Sequence, residues 1–291
     1  MSHDRTGNPG MLLEISRSLP GDPTTVDSPD LMGYPFFSLT EARRVTPIRY
    51  QSLGVGIAVE GTSEQGIATI WDADILIWAA AQVLKARDER TGTSRLLVAT
   101  PAKILEFIGR GHSLESHDGL RAALDRLQST TALTSFRQLE GRRRHRFSWV
   151  SEWKEHTNSR GWPTRISLML PDWLYLGLLE GSLSLAFDPV YFGLKGGLIR
   201  WLYRLLRFGK PSAGQYEFLH LYGRSGISLW SADFARHLRR IAAEQAIPGI
   251  HLGVIRGQKE QEILTFARGD VRSKRPAPSP DGTNGNGRGD A

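Results

Sequence analysis

Cysteine is absent from the chain, which excludes disulfide frameworks, thiolate nucleophiles and cysteine-based zinc or iron–sulfur sites and agrees with a reducing compartment. No run of about 18 apolar residues occurs, so no segment is expected to span a bilayer. The opening MSHDRTGNPG also lacks the basic start and apolar core of a signal peptide. The expectation is a soluble cytoplasmic protein with no membrane partner. Catalytic signatures are missing as well: there is no GxxxxGK[ST] phosphate loop, no HExxH and no GxSxG. The eight histidines form no pair around a single apolar residue, and His220 and His237 read as core-edge or surface residues. Gly193-Leu194-Lys195-Gly196-Gly197 lacks nucleotide-loop spacing and reads as a turn before a helix. Asp72 and Asp74 fall at a helix start, where the dipole accounts for them without catalysis. A binding protein without enzymatic activity, cofactor or metal is therefore expected.

What is present is an ordinary globular composition, 40% hydrophobic and 23% charged over 291 residues, sufficient for two small domains. Lys+Arg total 37 against 30 Asp+Glu, a net +7 that points toward a polyanionic partner. The balance is not uniform along the chain. Residues 1–30 are net −3, 31–160 and 161–271 are each net +4, and the last 20 are net +2.

The pattern suggests an α+β protein with two tandem winged helix-turn-helix domains between disordered termini. Segments 1–30 and 269–291 read as disordered tails, 31–155 as the first domain, 156–164 as a polar linker and 165–268 as the second domain. In the first domain VGIAVEG, GIATI and LLVA read as strands, and a helix runs from Asp72 to about Arg87. Thr100-Pro101 starts the next helix, which stops at Gly109-Arg110-Gly111. A further helix from about Leu114 to Gln128 leads into ALTSFRQ and RHRFSWVSEW, read as the wing hairpin. The second domain offers RISLML as a strand, a short helix after Pro171, a stronger helix over 197–208 and another over QYEFLHLY. Ser231 is the N-cap candidate for the helix 231–245, and HLGVIRG and EILTFAR close the domain as strands.

Helix phase singles out the candidate DNA contacts. On 231–245, Phe234, Leu238 and Ile241 share one side and Asp233, Arg236, Arg239 and Arg240 the opposite one, placing three guanidiniums where a recognition helix meets the major groove. Ser231, Arg224 and Arg256 flank that helix. On 197–208, Arg200, Arg204 and Arg207 recur at i, i+4 and i+7 opposite Leu198, Leu202 and Leu205. Like charges so spaced repel, so this stripe implies an anion across it, or else a solvated face or carboxylates elsewhere in the fold. In the first domain the helix over 114–128 shows Glu115, Asp118 and Asp125 with Arg121 at its edge. Its basic density lies in Arg142, Arg143, Arg144 and Arg146, expected as backbone contacts from the wing.

FFSLTEARRVTPIRY, GIATIWDADILIWAAAQ, TPAKILEFIGRG, LRAALDRLQSTT, RRRHRFSWVSEWKE and GGLIRWLYRLLR together resemble the replication initiator protein A family of bacterial plasmids. The resemblance runs from about Leu31 to Phe266. It implies a protein that recognises repeated double-stranded sites (iterons) at a plasmid origin, promotes local opening and recruits the host initiator and replicative helicase. It further implies passage between dimer and active monomer, control of copy number and repression of its own promoter. The DNA-reading helix then falls on 231–245. A transcriptional regulator of the same fold is the alternative, as is an interaction protein docking an acidic partner on the arginine stripe.

Overall fold

The computed structural model describes residues 33–52, 55–135, 145–181, 183, 185, 188–209 and 211–269. The tails expected to be disordered, but for Gly269, and Arg142, Arg143 and Arg144, lie outside them. Among the described residues eight helices and three antiparallel sheets form a mixed α/β fold. The first half comprises β1 (Ile48–Ser52), β2 (Val55–Glu60), α1 (Ala73–Asp88), β3 (Leu96–Ala99), α2 (Pro101–Phe107) and α3 (Leu114–Ser129). It continues through β4 (Thr131–Thr134), β5 (His145–Ser148), β6 (Glu152–Thr157), β7 (Pro163–Met169) and α4 (Asp172–Leu179). The second half comprises α5 (Pro189–Phe192), α6 (Gly197–Phe208), β8 (Ala213–Glu217), α7 (Phe218–Ser225), α8 (Ser231–Ala243), β9 (Ile250–Arg256) and β10 (Glu262–Arg268).

Local chemistry accounts for the helix boundaries. Thr100 Oγ1 accepts the N–H of Lys103 at 3.3 Å, and Pro101 behind it fills a position whose N–H would be orphaned. Beyond α2 the chain reverses at Gly109, at φ +69°, where a side chain would be strained. Ser113 caps α3 by accepting from the N–H of Ser116, and Leu120, Ala123, Leu124 and Leu127 turn that helix onto the core. Throughout its first two turns α1 is buried, from Ala73 to Ala80.

Two of the sheets are built alike. Their orders are β3-β7-β6 and β8-β10-β9, so a strand preceding a helix pair lies beside the last strand of the hairpin that follows. This corrects the sequence-based placement of the first hairpin. Strands β4 and β5 pair with each other but belong to a four-stranded sheet, β1-β2-β4-β5. The hairpin that returns to β3 is β6–β7, with Leu96 opposite Met169 and Ala99 opposite Ile166. The expected linker 156–164 is the tip of that hairpin, and RISLML belongs to the first half, as does α4, which packs on α1. Gly-Pro polar segments serve linkers and hairpin tips equally well, so composition alone could not separate them. Other differences are smaller. GIATI is a turn holding two isolated bridges, Thr62 to Gly66 and Ser38 to Thr69, and QYEFLHLY is the end of β8 followed by α7. Trp230, not Ser231, occupies the N-cap position of α8, and no side chain caps it.

The halves interlock. The segment 33–46 lies along the second half: a Cβ on Gly197 would sit 2.1 Å from the Leu39 carbonyl oxygen, and Arg44 donates to the Gly226 carbonyl at 2.6 Å. Trp149 is a core residue, stacked on Phe37 at 4.6 Å between ring centres and edge-on to Phe36 and Phe147.

Candidate nucleic-acid interface

Helix α8 follows α7 after a turn that opens at Gly226, at φ +61°, and its inner face of Phe234, Leu238, Ile241 and Ala242 is buried. Its exposed residues include Ala232, Arg236, Arg239, Arg240 and Ala243, as helix phase predicts. The three guanidiniums are not equivalent. Arg236 lies 2.9 Å from Asp233 one turn back, a pair exposed enough to open at little cost. Arg239 is forked onto Glu262 of β10 at 2.6 and 2.8 Å, which holds the Glu262 carboxyl below its ordinary range and ties the helix to the hairpin. Arg240 lines a cleft of about 810 Å³ together with His237, Lys195, Val45, Trp71 and Ile199. Hairpin β9–β10 adds Arg256, exposed and 3.1 Å from Glu260, and Lys259 in its turn. Trp230, 82% exposed at the foot of α8, had no sequence signal beyond its position before a capping-type serine.

The arginine stripe on α6 does not face outward. Arg200 and Arg204 are 1% and 0% exposed, and nearly the whole circumference of the helix is buried with them. The guanidinium of Arg200 bonds the Asp74 carboxylate at 3.1 and 3.2 Å and lies 4.4 Å from the Tyr191 ring centre. Arg204 sits between the rings of Tyr191 and Phe208, at 5.2 and 4.7 Å. Arg207, about one third exposed, lies 3.8 Å from Asp188, which also accepts the Tyr203 hydroxyl. The expected external anion is thus replaced by carboxylates within the fold. Arg224 is likewise committed, donating to the Gly33 carbonyl at 3.1 Å and lying over the Tyr34 ring.

Asp72 and Asp74 do more than face a helix dipole. Both are buried: Asp72 accepts a two-pronged contact from Arg126 at 2.7 Å on each oxygen, while Asp74 receives Arg200 and, at 3.4 Å, Arg110. Burial outweighs the two arginines and lifts the Asp74 carboxyl from 3.8 to about 7. Three helices, α1, α3 through Arg126 and α6 through Arg200, and the turn after α2 through Arg110 meet on these two side chains.

In the first half α3 presents Glu115, Asp118 and Asp125, and Arg121 is bound to both Asp118 and Glu155 of β6. Arg146 is exposed on β5, in the four-stranded sheet. Exposed cations that sequence phase did not single out, Arg160 and Arg165, lie on the β6–β7 hairpin beside Trp162. They went unnoticed because that hairpin read as a linker. Among the described residues no helix is long and apolar enough to cross a membrane, and no cluster of His, Asp and Glu could hold a metal.

The model of the replication initiator protein A family matches residues 26–252 of the sequence. Solved structures that resemble the fold include two of RctB. A selenomethionine derivative of domains 2 and 3 of RctB is 18% identical, with a TM-score of 0.60 over 84% of this chain and 100% of that one. A second structure of RctB domains 2 and 3 is 16% identical, with a TM-score of 0.53 over 81% and 95% of the respective chains. No curated protein matches the sequence.

Proposed function

Because the chain belongs to the replication initiator protein A family, we propose that it initiates plasmid replication by binding repeated duplex sites at the origin. Each half is read as a winged helix, with α7–α8 and the β9–β10 wing forming the base-reading module. The observation carrying this reading is the outward face of α8, where Arg236 and Arg240 stand exposed between the small residues Ala232 and Ala243. Guanidiniums so placed bond guanine O6 and N7 in two-pronged fashion in the major groove, and small neighbours let the helix approach the base edges. Arg239, held by Glu262, serves as a backbone contact, as do Arg256, Lys259 and Arg146. Several bound copies distort the adjacent duplex and recruit the host initiator and replicative helicase, with no catalytic step or cofactor of the protein's own. Passage between dimer and monomer sets which form engages the origin, and the same protein bound at its promoter represses its gene.

The test is a comparison of specific and random duplexes. Arg236→Ala and Arg240→Ala each cost about 1 to 3 kcal/mol on the specific site and much less on random DNA. Equal losses on both would demote these residues to phosphate contacts. An origin-only plasmid replicates when the protein is supplied in trans; failure there, with site binding intact, leaves a transcriptional regulator.

A further inference from the structure

The tip of the β6–β7 hairpin is built to hold its shape. Asn158 Oδ1 accepts the backbone N–H groups of Arg160 and Trp162 at 2.9 and 3.0 Å. The main chain of Asn158 completes the turn, donating to the Trp162 carbonyl and accepting from the Gly161 N–H, both at 2.9 Å. Gly161 sits at φ +78°, a conformation that disfavours any side chain. The result of this ordering is an indole, Trp162, 63% exposed, with the exposed Arg160 two residues before it. Holding an aromatic ring rigidly in water forgoes the gain of burying it, so the arrangement is expected where a partner supplies the cover.

Charge identifies the partner. From His156 to Arg165 the sequence HTNSRGWPTR contains no carboxylate, and Arg165 stands opposite His156 on the outer face of the strands. Glu155, the nearest acid, is turned to the other face and neutralised by Arg121 at 3.0 Å, a contact that also fixes the hairpin against α3. Helix α3 itself displays Glu115 and Asp118, the latter sharing Arg121 with Glu155, while Asp125 is half-buried and accepts the Trp153 indole N–H, so its outer edge is acidic rather than basic. The first half therefore meets a polyanion with its hairpin and not with its helix.

We infer that the tip 157–163 is a further DNA contact of the first half, entering the minor groove with Arg160 along the groove and Trp162 wedged against a base step. This rests on the DNA-binding reading above. An arginine is drawn to the negative potential of a narrow minor groove, and an apolar wedge there unstacks and kinks the duplex, the deformation an origin-opening protein requires.

The experiment measures binding of the full chain to the footprinted duplex flanking its gene, with Trp162→Ala, Trp162→Phe and Arg160→Ala, each checked by thermal melt. Trp162→Ala weakens binding by about 5- to 150-fold, the range for losing one aromatic–base contact, and Trp162→Phe recovers most of it. Netropsin, a minor-groove ligand, competes with the wild type but loses its effect on Trp162→Ala. Unchanged affinity of Trp162→Ala and Arg160→Ala overturns the inference and leaves the α8 reading standing. Unchanged affinity together with a shift in oligomeric mass by light scattering overturns it in favour of a protein contact. A wild type that binds no DNA at all takes both readings down.

Discussion

Asp74→Asn is the most informative single change, because the side chain couples the two halves and its carboxyl is displaced from 3.8 to about 7. Among the described residues, Arg200 and Arg110 lower its proton affinity, Asp72 raises it, and Arg126 is occupied by Asp72. Its buried Oδ1 has no hydrogen-bond partner among the described residues, so protonation there breaks no contact. A carboxyl that holds its proton more tightly folded than unfolded stabilises the fold fully below pH 4, and that contribution is lost as pH rises through 7. At 1.36 kcal/mol per unit the loss between pH 5 and pH 8 is about 2 to 3 kcal/mol. Asparagine binds no proton and escapes it. Urea denaturation of both proteins at pH 5, 6, 7 and 8 should show the variant gaining on the wild type by about 2 to 3 kcal/mol across that window. Parallel curves would mean that Asp74 does not titrate there. A wild type more stable than the variant by the same margin at every pH would mean that Arg200 and Arg110 outweigh burial and hold the carboxylate charged throughout.

The neighbouring pair behaves oppositely: Asp72→Ala removes both 2.7 Å contacts to Arg126 and the acceptor of the Thr69 N–H, for a loss of about 3 to 5 kcal/mol in a urea melt. A loss below about 1 kcal/mol would show the pair idle. Gly197→Ala drives a methyl to 2.1 Å from the Leu39 carbonyl oxygen and costs about 1 to 3 kcal/mol, whereas Gly223→Ala, with open space around it in α7, gains about 0.5 to 1 kcal/mol. Equal melting temperatures for the two would refute the close approach of the halves at Gly197.

Sequence pattern located the helices well where punctuation was local. Residues 197–208 form α6 as expected, Thr100-Pro101 starts α2, and α8 turns the side to the core that its period assigns. Direction failed where the deciding partner was remote. The arginines of α6 have the period of an outward stripe, but Asp74, 126 positions away, turns Arg200 inward, and Tyr191 and Phe208 flank Arg204. Periodicity specifies that residues share a side and is silent on what lies opposite. The hairpin assignment failed similarly: two hairpins follow α3, and only the pairing of β7 with β3 distinguishes them. Trp162 and Arg160 were thereby missed, and their signal was the Asn-x-x-Gly spacing of a turn inside an acid-free segment.

The burial of Arg200 against Asp74 also orders events during synthesis. A nascent chain emerging from the ribosome displays α1 long before α6 has been translated, so the carboxylate waits without its main counter-ion while some 125 further residues are added. The contact between the halves at Asp74 therefore closes only after translation has passed Arg200.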